Sequence, residues 1–349
     1  MKRLIVKFAV LFFFMGGLFS VSTGVTHAKP IQLTYSGFWG PTHPISKLAE
    51  GWIKEVEKRT NGQVKIIFYP GQTLTKAAVT YDAVVNGLTD IGLSCLQYNR
   101  GRFPIMDVIN LPLGFPSGAV TTAIVNEVYE KFAPMELSDT RIMYLHSHGP
   151  GFIHTKGDPI RKMEDLKGLK IRSHGPTAEM LKCLGGTPVA LPMPELYQAL
   201  QKGVVQGGIC PMEGVQCFRI SEVTNTTLAC YDIAYSLAFF VTMNKDKWES
   251  LPADVQKVIE EVNQEWIVKT GQTWDWTDFT GFQFDLSCGN TIVGVDAKEA
   301  KRMKKAVRPV VDMYLEQAKE KGIDAKPVLD YVSKRLKDAK KGKFKSKFI

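Results

Sequence analysis

The fold of this chain is predicted by one stretch, Asp165 to Pro211, which reads DLKGLKIRSHGPTAEMLKCLGGTPVALPMPELYQALQKGVVQGGICP. Its apolar residues are strand-like in Leu169–Arg172 and Val189–Leu191, and they recur at helical spacing from Leu196 to Val204. Strands and helices therefore alternate within a short length of chain. This alternation is typical of a parallel β-sheet covered by helices.

Arg172 stands at the carboxyl end of the first of these strands. Parallel sheets bind small ligands outside the carboxyl ends of their strands. A guanidinium group at such a place binds an anion, because it offers a carboxylate two parallel charge-assisted hydrogen bonds. We therefore predict that Arg172 is the main ligand-binding residue.

The same stretch resembles the substrate-binding proteins of TRAP transporters, the tripartite periplasmic carriers of organic acids. The similarity rests on DLKGLKIRS and GGTPVALPMPELYQALQKGVVQGG, and it extends to YPGQ at Tyr69–Gln72, NGLTDIG at Asn86–Gly92 and LPADVQKVIEEV from Leu251. The resemblance implies that Arg172 forms a bidentate salt bridge with the substrate carboxylate. It also implies that the small and large membrane subunits of such a transporter are the protein partners.

The resemblance further implies an α/β, two-lobed periplasmic binding protein fold, in which each lobe is a mixed sheet flanked by helices and a long helix spans both lobes. Removal of an export signal of 28 residues from the 349-residue chain leaves 321, more than one hydrophobic core usually serves. We expect the signal peptide at 1–28. Lobe I is expected to comprise 29–149 plus about 238–277, and lobe II to comprise 150–237 plus about 278–305. The C-terminal helices and the basic tail are expected at 306–349.

Residues 1–28 have the pattern of an export signal. Lys2, Arg3 and Lys7 precede an apolar run from Phe8 to Val21, and Thr26-His27-Ala28 is an acceptable cleavage site. The alternative is an uncleaved membrane anchor, but the apolar run is shorter than a bilayer span. The sequence therefore predicts a periplasmic protein.

The whole chain carries a net charge of +9 at pH 7, and a large part of it lies in the tail Lys334–Lys347. A basic tail is one signature of nucleic-acid or membrane-surface binding. No nucleic-acid module is recognisable in the sequence, so we interpret the tail as a solvated terminus and expect no nucleic-acid partner. We expect the protein to be a monomer.

Six cysteines are scattered singly along the chain, at Cys95, Cys183, Cys210, Cys217, Cys230 and Cys288. An exported protein is free to form disulfides, but dispersed cysteines in a large chain are commonly buried free thiols. We expect mostly free thiols, and Cys210 with Cys217 is the most plausible exception. No cysteine and histidine cluster has zinc-site spacing. Some relatives hold a metal ion beside the ligand, but the sequence offers no clear ligand set, so we predict no metal and no cofactor.

Two pairs of residues directly follow predicted strands and are therefore candidate ligand contacts. Phe38 and Trp39 lie in a turn rich in glycine, proline and aromatic residues, which places them at the mouth of a sheet. Core packing is the alternative role for Trp39. Gln97 and Tyr98 follow another buried strand and occupy the same kind of loop.

The resemblance places the apolar strand Tyr235–Met243 beside the ligand. Side chains alternate along a strand, so only one of Phe239 and Phe240 faces the ligand, and we choose Phe239. The helix that begins near Leu251 is expected to run to about Phe284. We interpret its tryptophans as residues of the core or of the interface between lobes, namely Trp266, Trp274 and Trp276.

Four further candidates lie where the sequence departs from the family pattern or at the crossing between lobes. Phe152 occupies the position where some relatives carry a second substrate arginine, which argues against a ligand that needs two guanidinium groups. His148 is a candidate hydrogen-bond donor, although an isolated histidine is more often structural. Cys210 replaces a polar residue or tryptophan of relatives, and Glu213 is either a pocket residue or a charge at a helix start.

These residues predict a pocket with one cation and apolar walls. The predicted function is high-affinity binding of a small organic anion, an apolar or aromatic monocarboxylate, and its delivery to a TRAP-type membrane transporter. A short sulfonate or a C4-dicarboxylate is the alternative ligand, and a module that presents its ligand to a membrane receptor is the alternative role. An exported enzyme acting on an organic acid is not expected, because the chain has no GxSxG, HExxH, GxxxxGK[ST] or dinucleotide motif.

Overall fold

The computed structural model describes residues 29–349, and the predicted signal peptide at 1–28 lies outside the described residues. Within 29–349 the chain forms two β-sheets and eleven α-helices. Among these helices none has the length and apolar composition that a membrane span requires.

The first sheet contains five strands: β1 (Ile31–Gly37), β2 (Val64–Tyr69), β3 (Ile91–Cys95), β4 (Thr140–Ser147) and β10 (Ala238–Asn244). Their order is β2-β1-β3-β10-β4. β1 pairs in parallel with β2 and β3, whereas β10 runs antiparallel to β3 and β4. We call this sheet with its helices the first lobe.

The second sheet contains six strands: β5 (Gly151–Thr155), β6 (Lys170–Arg172), β7 (Thr187–Val189), β8 (Gly207–Pro211), β9 (Thr226–Leu228) and β11 (Thr291–Val293). Their order is β11-β9-β5-β8-β6-β7, and β5 is antiparallel to both of its neighbours. β6 pairs in parallel with β7 and β8, which confirms the parallel arrangement predicted from this stretch. We call this sheet with its helices the second lobe.

The helices lie between and after the strands. They are α1 (Pro44–Arg59), α2 (Thr80–Val85), α3 (Gly118–Phe132), α4 (Pro176–Cys183), α5 (Leu196–Gln201), α6 (Met212–Cys217), α7 (Lys245–Glu249), α8 (Ala253–Ser287), α9 (Ala297–Ala306), α10 (Arg308–Glu320) and α11 (Lys326–Lys340).

α8 is 35 residues long and connects the two lobes. It packs on α1, α3 and β4 of the first lobe and on α6 and β11 of the second, which confirms the predicted spanning helix. The helix ends at Ser287, slightly beyond the predicted end near Phe284. Gly281 permits the close approach of α6, because a Cβ atom at this position would lie 2.0 Å from the carbonyl oxygen of Met212.

The chain passes between the sheets after Ser147, again before Ala238, and a third time through α8. Mixed sheets with several crossings agree with the predicted fold class, and we retain the lobe bounds given above as a proposal. All six cysteines are free, so the pairing considered for Cys210 and Cys217 is not formed. The lysines of the basic tail are mostly exposed, but Phe348 near its end is buried.

Candidate functional site

A cavity lies between the two lobes. Both lobes and the long helix contribute to its lining. The lining residues are Phe38, Trp39, Tyr98, His148, Arg172, Met193, Cys210, Pro211, Glu213, Phe218, Tyr235, Leu237, Phe239 and Trp274.

Arg172 provides the positive charge of the cavity, and only 2% of its surface is exposed. Its Nε donates to the carbonyl oxygen of Leu191 at 2.8 Å, and its Nη1 donates to that of Ile209 at 3.0 Å. Its Nη2 is buried and has no hydrogen-bond partner among the described residues. An unpaired N–H on a buried cation is costly, so this group is suited to receive an anion.

Two tyrosine hydroxyls lie at the same end of the cavity. The hydroxyl of Tyr98 accepts a hydrogen bond from the backbone N–H of Met193 at 3.3 Å, so its own hydrogen is available for a ligand. Burial raises the pKa of Tyr98 to about 12, and the group stays neutral. The hydroxyl of Tyr235 donates to the carbonyl oxygen of Ile209 at 3.2 Å.

His148 is buried where the chain first crosses between the lobes. Its Nδ1 lies 2.6 Å from the carbonyl oxygen of Gly149, which only accepts, so the ring hydrogen is on Nδ1. Burial lowers the pKa of His148 to about 4, and the nearby charge of Arg172 also lowers it. The neutral ring therefore presents Nε2 as an acceptor, which corrects the donor role predicted for His148 from the sequence.

A hydrogen bond between His43 and Glu213 closes another side of the cavity. Nδ1 of His43 accepts from the backbone N–H of Ile45 at 3.1 Å, so Nε2 carries the hydrogen and donates to the Glu213 carboxylate. The backbone N–H of Glu213 donates to Oδ1 of Asp278 at 2.9 Å, which ties the start of α6 to α8. The side chain of Glu213 thus lies in the cavity wall and is more than a charge at a helix start.

His43, Glu213 and Cys217 bring one potential metal-ligand atom each to within 4.8 Å of one another. Burial raises the pKa of the Cys217 thiol, and the neighbouring Glu213 charge acts in the same direction. The absence of a metal stays a prediction.

Aromatic rings form the walls of the cavity. Phe239 stacks on Trp274 with ring centroids 5.4 Å apart, and Trp39 lies 5.0 Å from Phe239. Phe38 contacts Trp39 with a centroid distance of 3.9 Å. Phe240 faces the opposite way, into the core of the first lobe, as the alternation of the strand requires.

Eight of the ten residues predicted to bind ligand line this cavity: Phe38, Trp39, Tyr98, His148, Arg172, Cys210, Glu213 and Phe239. Gln97 is not among the lining residues, and its side chain contacts Cys95 and Asp107. Phe152 is buried in the core of the second lobe against Phe282 of α8. Phe152 therefore does not line the cavity, although the resemblance to the family predicted a ligand contact at this position.

Six lining residues were not predicted: Met193, Pro211, Phe218, Tyr235, Leu237 and Trp274. The assignment of Trp274 to the core or the lobe interface is incomplete, because its ring also forms the cavity wall. Its Nε1 donates to Nδ1 of His146 at 3.0 Å, which holds the indole in place. The spacing of apolar residues in α8 does not by itself indicate which face of the helix borders the cavity.

Residues 35–318 match the family model described as bacterial extracellular solute-binding protein, family 7. The chain belongs to this family. As a family 7 protein it is a solute-binding protein of a TRAP transporter and not an enzyme. Such proteins are extracytoplasmic, bind small organic anions and work with membrane subunits of the transporter.

Two solved structures illustrate the similarity of this family 7 protein to its relatives. A TRAP solute-binding protein from Rhodoferax ferrireducens T118, in complex with copurified benzoate, is 29% identical with a TM-score of 0.84, covering 89% of this chain and 99% of that one. A marine metagenome TRAP protein specific for aromatic acid ligands, in complex with metahydroxyphenylacetate, is also 29% identical. Its TM-score is 0.83, with 87% of this chain and 98% of that one covered.

A curated relative has a different ligand in its name. The C4-dicarboxylate-binding periplasmic protein of Rhodobacter capsulatus is 29% identical over 244 residues, which cover 68% of this chain and 72% of that protein. Relatives at the same level of identity thus differ in ligand class. The residues of this chain's own cavity are therefore needed to choose between them.

Proposed function

We propose that this protein binds an aromatic monocarboxylate in the periplasm and delivers it to the membrane subunits of a TRAP transporter. The observation that carries the proposal is the unpartnered, buried Nη2 of Arg172 in a cavity with aromatic walls. The proposal includes removal of residues 1–28 as a signal peptide and a monomeric receptor.

The carboxylate of the ligand binds to Arg172. Nη2 and the remaining hydrogen of Nη1 are available for a pair of parallel hydrogen bonds, because Nε and the other Nη1 hydrogen are held by backbone carbonyls. These two backbone contacts orient the guanidinium before the ligand arrives. The hydroxyl of Tyr98 adds a third donor from the first lobe.

The charges around the cavity favour a ligand with one negative charge. Among the described residues that line it, Arg172 is the only arginine or lysine. Glu213 lines the same cavity, and its carboxylate would repel a second carboxylate of the ligand. A C4-dicarboxylate therefore fits less well, although a relative binds that class. The apolar walls favour an aromatic body, in agreement with the ligands of the two solved relatives.

Delivery follows from closure of the lobes over the ligand. Arg172 and Glu213 belong to the second lobe, whereas Trp39, Tyr98 and Phe239 belong to the first. A ligand that contacts both groups stabilises the closed arrangement, which then presents a surface to the membrane subunits. A receptor that senses the closed form would use the same step, and it remains the alternative role.

A thermal-shift screen of residues 29–349 tests the ligand class, after unfolding and refolding to remove copurified ligand. Benzoate and phenylacetate are compared with succinate, ethanesulfonate and glucuronate. A ligand at about 100 times its Kd adds about 2.7 kcal/mol to the free energy of unfolding, which raises the melting temperature by several degrees. We expect this shift with the aromatic acids. A shift only with succinate, the sulfonate or glucuronate would contradict the proposed class.

A further inference from the structure

Nε2 of His148 is a hydrogen-bond acceptor without a donor. The side chain lines the ligand cavity and is 1% exposed, and Nε2 has no partner among the described residues. The contact between Nδ1 and the carbonyl oxygen of Gly149 places the ring hydrogen on Nδ1. Nε2 is left with a lone pair and no hydrogen.

The groups around His148 do not supply the missing donor. Tyr235 lies edge-on to the imidazole at 5.4 Å between ring centroids, but its hydroxyl donates to Ile209. The N–H of Trp274 donates to His146, and the hydroxyl of Ser236 donates to the backbone oxygen of His148. The hydrogens of Tyr235, Trp274 and Ser236 are thus already used elsewhere, and none of the hydrogen bonds of the described residues reaches Nε2 of His148.

Which group donates a hydrogen bond to Nε2 of His148 depends on what occupies the cavity. In the open protein, water supplies a hydrogen to Nε2. When the lobes close on a ligand and exclude that water, the ligand must donate instead, because a buried acceptor without a donor is costly. Arg172, which binds only anionic or acceptor groups, lies near enough to lower the pKa of His148. Arg172 therefore suits the carboxylate of a ligand, whereas Nε2 of His148 suits a group of the same ligand that donates a hydrogen bond.

We propose that His148 determines specificity by accepting a hydrogen bond from a hydroxyl or N–H group of the ligand. This inference rests on the proposed function and narrows it, from aromatic monocarboxylates to those that carry a hydrogen-bond donor besides the carboxylate. Hydroxyaryl acids and aryl 2-hydroxy acids are the classes with the required chemistry. A site built to bind such a group discriminates strongly against the analogue that lacks it.

Calorimetric titration with matched pairs of acids tests the inference. The pairs are mandelate with phenylacetate, 3-hydroxyphenylacetate with phenylacetate, and 3-hydroxybenzoate with benzoate. We expect the hydroxylated member of at least one pair to bind tighter by about 10-fold or more, which corresponds to about 1.4 kcal/mol. Equal affinities within all three pairs would overturn the inference, while the binding of phenylacetate or benzoate would leave the proposed function standing.

Two variants identify the acceptor. The amide of His148→Asn can still donate to Gly149 but has no atom at the place of Nε2, so the ratio between the affinities for the hydroxylated acid and for its partner should fall towards one. In His148→Gln the longer side chain brings an amide oxygen to that place, and part of the preference should return. A preference that persists in His148→Asn would overturn the role of His148.

Two further results complete the test. If His148→Asn does not bind phenylacetate, His148→Phe serves as the variant without an acceptor, and the same loss of preference is expected. If the unmodified protein binds none of the five acids, the inference is overturned together with the proposed function.

Discussion

The imidazole of His43 and the carboxylate of Glu213 form a buried hydrogen bond that joins the two lobes. Their side chains are each 4% exposed, and 170 residues separate them in the chain. His43 caps the N-terminus of α1, and Glu213 lies in the first turn of α6. Both lobes must be close together for this contact to exist, so it stabilises the closed arrangement around the cavity.

Glu213→Ala is expected to weaken benzoate binding by about 10-fold or more. The substitution leaves the buried Nε2–H of His43 without an acceptor, and hydrogen bonds to charged groups contribute about 1.5–3 kcal/mol. The double variant His43→Ala/Glu213→Ala should lose little more than either single variant, because both remove the same contact. Calorimetric titration measures the affinities, with Glu320→Ala on the exposed face of α10 as the control. Additive losses would show that the two residues do not act together.

Arg172→Lys is expected to weaken benzoate binding by about 100-fold. Arg172 contacts two backbone carbonyls and still has N–H groups for a carboxylate, whereas one ammonium group cannot reproduce this planar arrangement. Titration calorimetry compares it with Arg161→Lys, at an exposed position of the same lobe. An affinity within about twofold of the unmodified protein would exclude Arg172 as the carboxylate-binding residue.

Gly281→Ala is expected to lower the melting temperature by several degrees. The added methyl group would overlap the carbonyl oxygen of Met212, and overpacking of this kind costs about 1–3 kcal/mol. Gly294→Ala is the matched control, because an added Cβ there meets nothing within 4 Å. Differential scanning calorimetry measures both variants. Equal melting temperatures would mean that α6 moves away from α8 without cost.

Acidification is expected to destabilise the ligand-free protein through the buried His146, His148 and His154 and the partly buried His174, because burial lowers the pKa of each. Burial lowers the pKa of His146 to about 3, of His148 to about 4 and of His174 to about 3. In the unfolded chain these groups bind protons near pH 6.5. The unfolded state therefore takes up more protons as the pH falls below 6.5, and the stabilisation present above that pH is lost progressively towards pH 4.

Melting temperatures at pH 7 and pH 5 measure this effect, and His174→Asn should reduce the difference between them. Four acids act in the opposite direction, because burial raises the pKa of Asp107 to about 6 and of Glu136 to about 7, and it also raises the pKa of Asp275 and of Asp278. These acids stabilise the folded state as the pH falls from their raised pKa values towards their ordinary pKa values. Glu136→Gln removes one such contribution and should therefore enlarge the difference in melting temperature between pH 7 and pH 5. An unchanged difference in both variants would contradict the assignment.

Local patterns were sufficient for the features that depend on neighbouring residues in the chain. The alternation around Leu169–Arg172 predicted a strand, and the rule for parallel sheets then placed Arg172 at its carboxyl end. Alternation predicted that only one of Phe239 and Phe240 faces the ligand, and Phe239 is the one that lines the cavity.

The sequence was not sufficient where the direction of a side chain depends on distant packing. Phe152 points into the core of the second lobe because Tyr231 and Phe282 surround it there. Gln97 turns towards Asp107, which lies in a different segment of the first lobe. Trp274 has the sequence pattern of a buried helical residue. Its ring forms a wall of the cavity only because α8 lies between the lobes.

The sequence by itself determined the family, the two-lobed α/β fold and the single arginine at a strand end, because short periodicities and motifs encode secondary structure and its order. The tertiary structure decided which atoms face the ligand. It joined His43 to Glu213 across 170 residues, and it placed the ring hydrogen of His148 on the nitrogen beside Gly149. The contact between His43 and Glu213 depends on a distance between groups that are remote in the chain, and closure of the two lobes sets that distance. The orientation of the His148 ring depends on the packing of Tyr235, Phe239 and Trp274 around it.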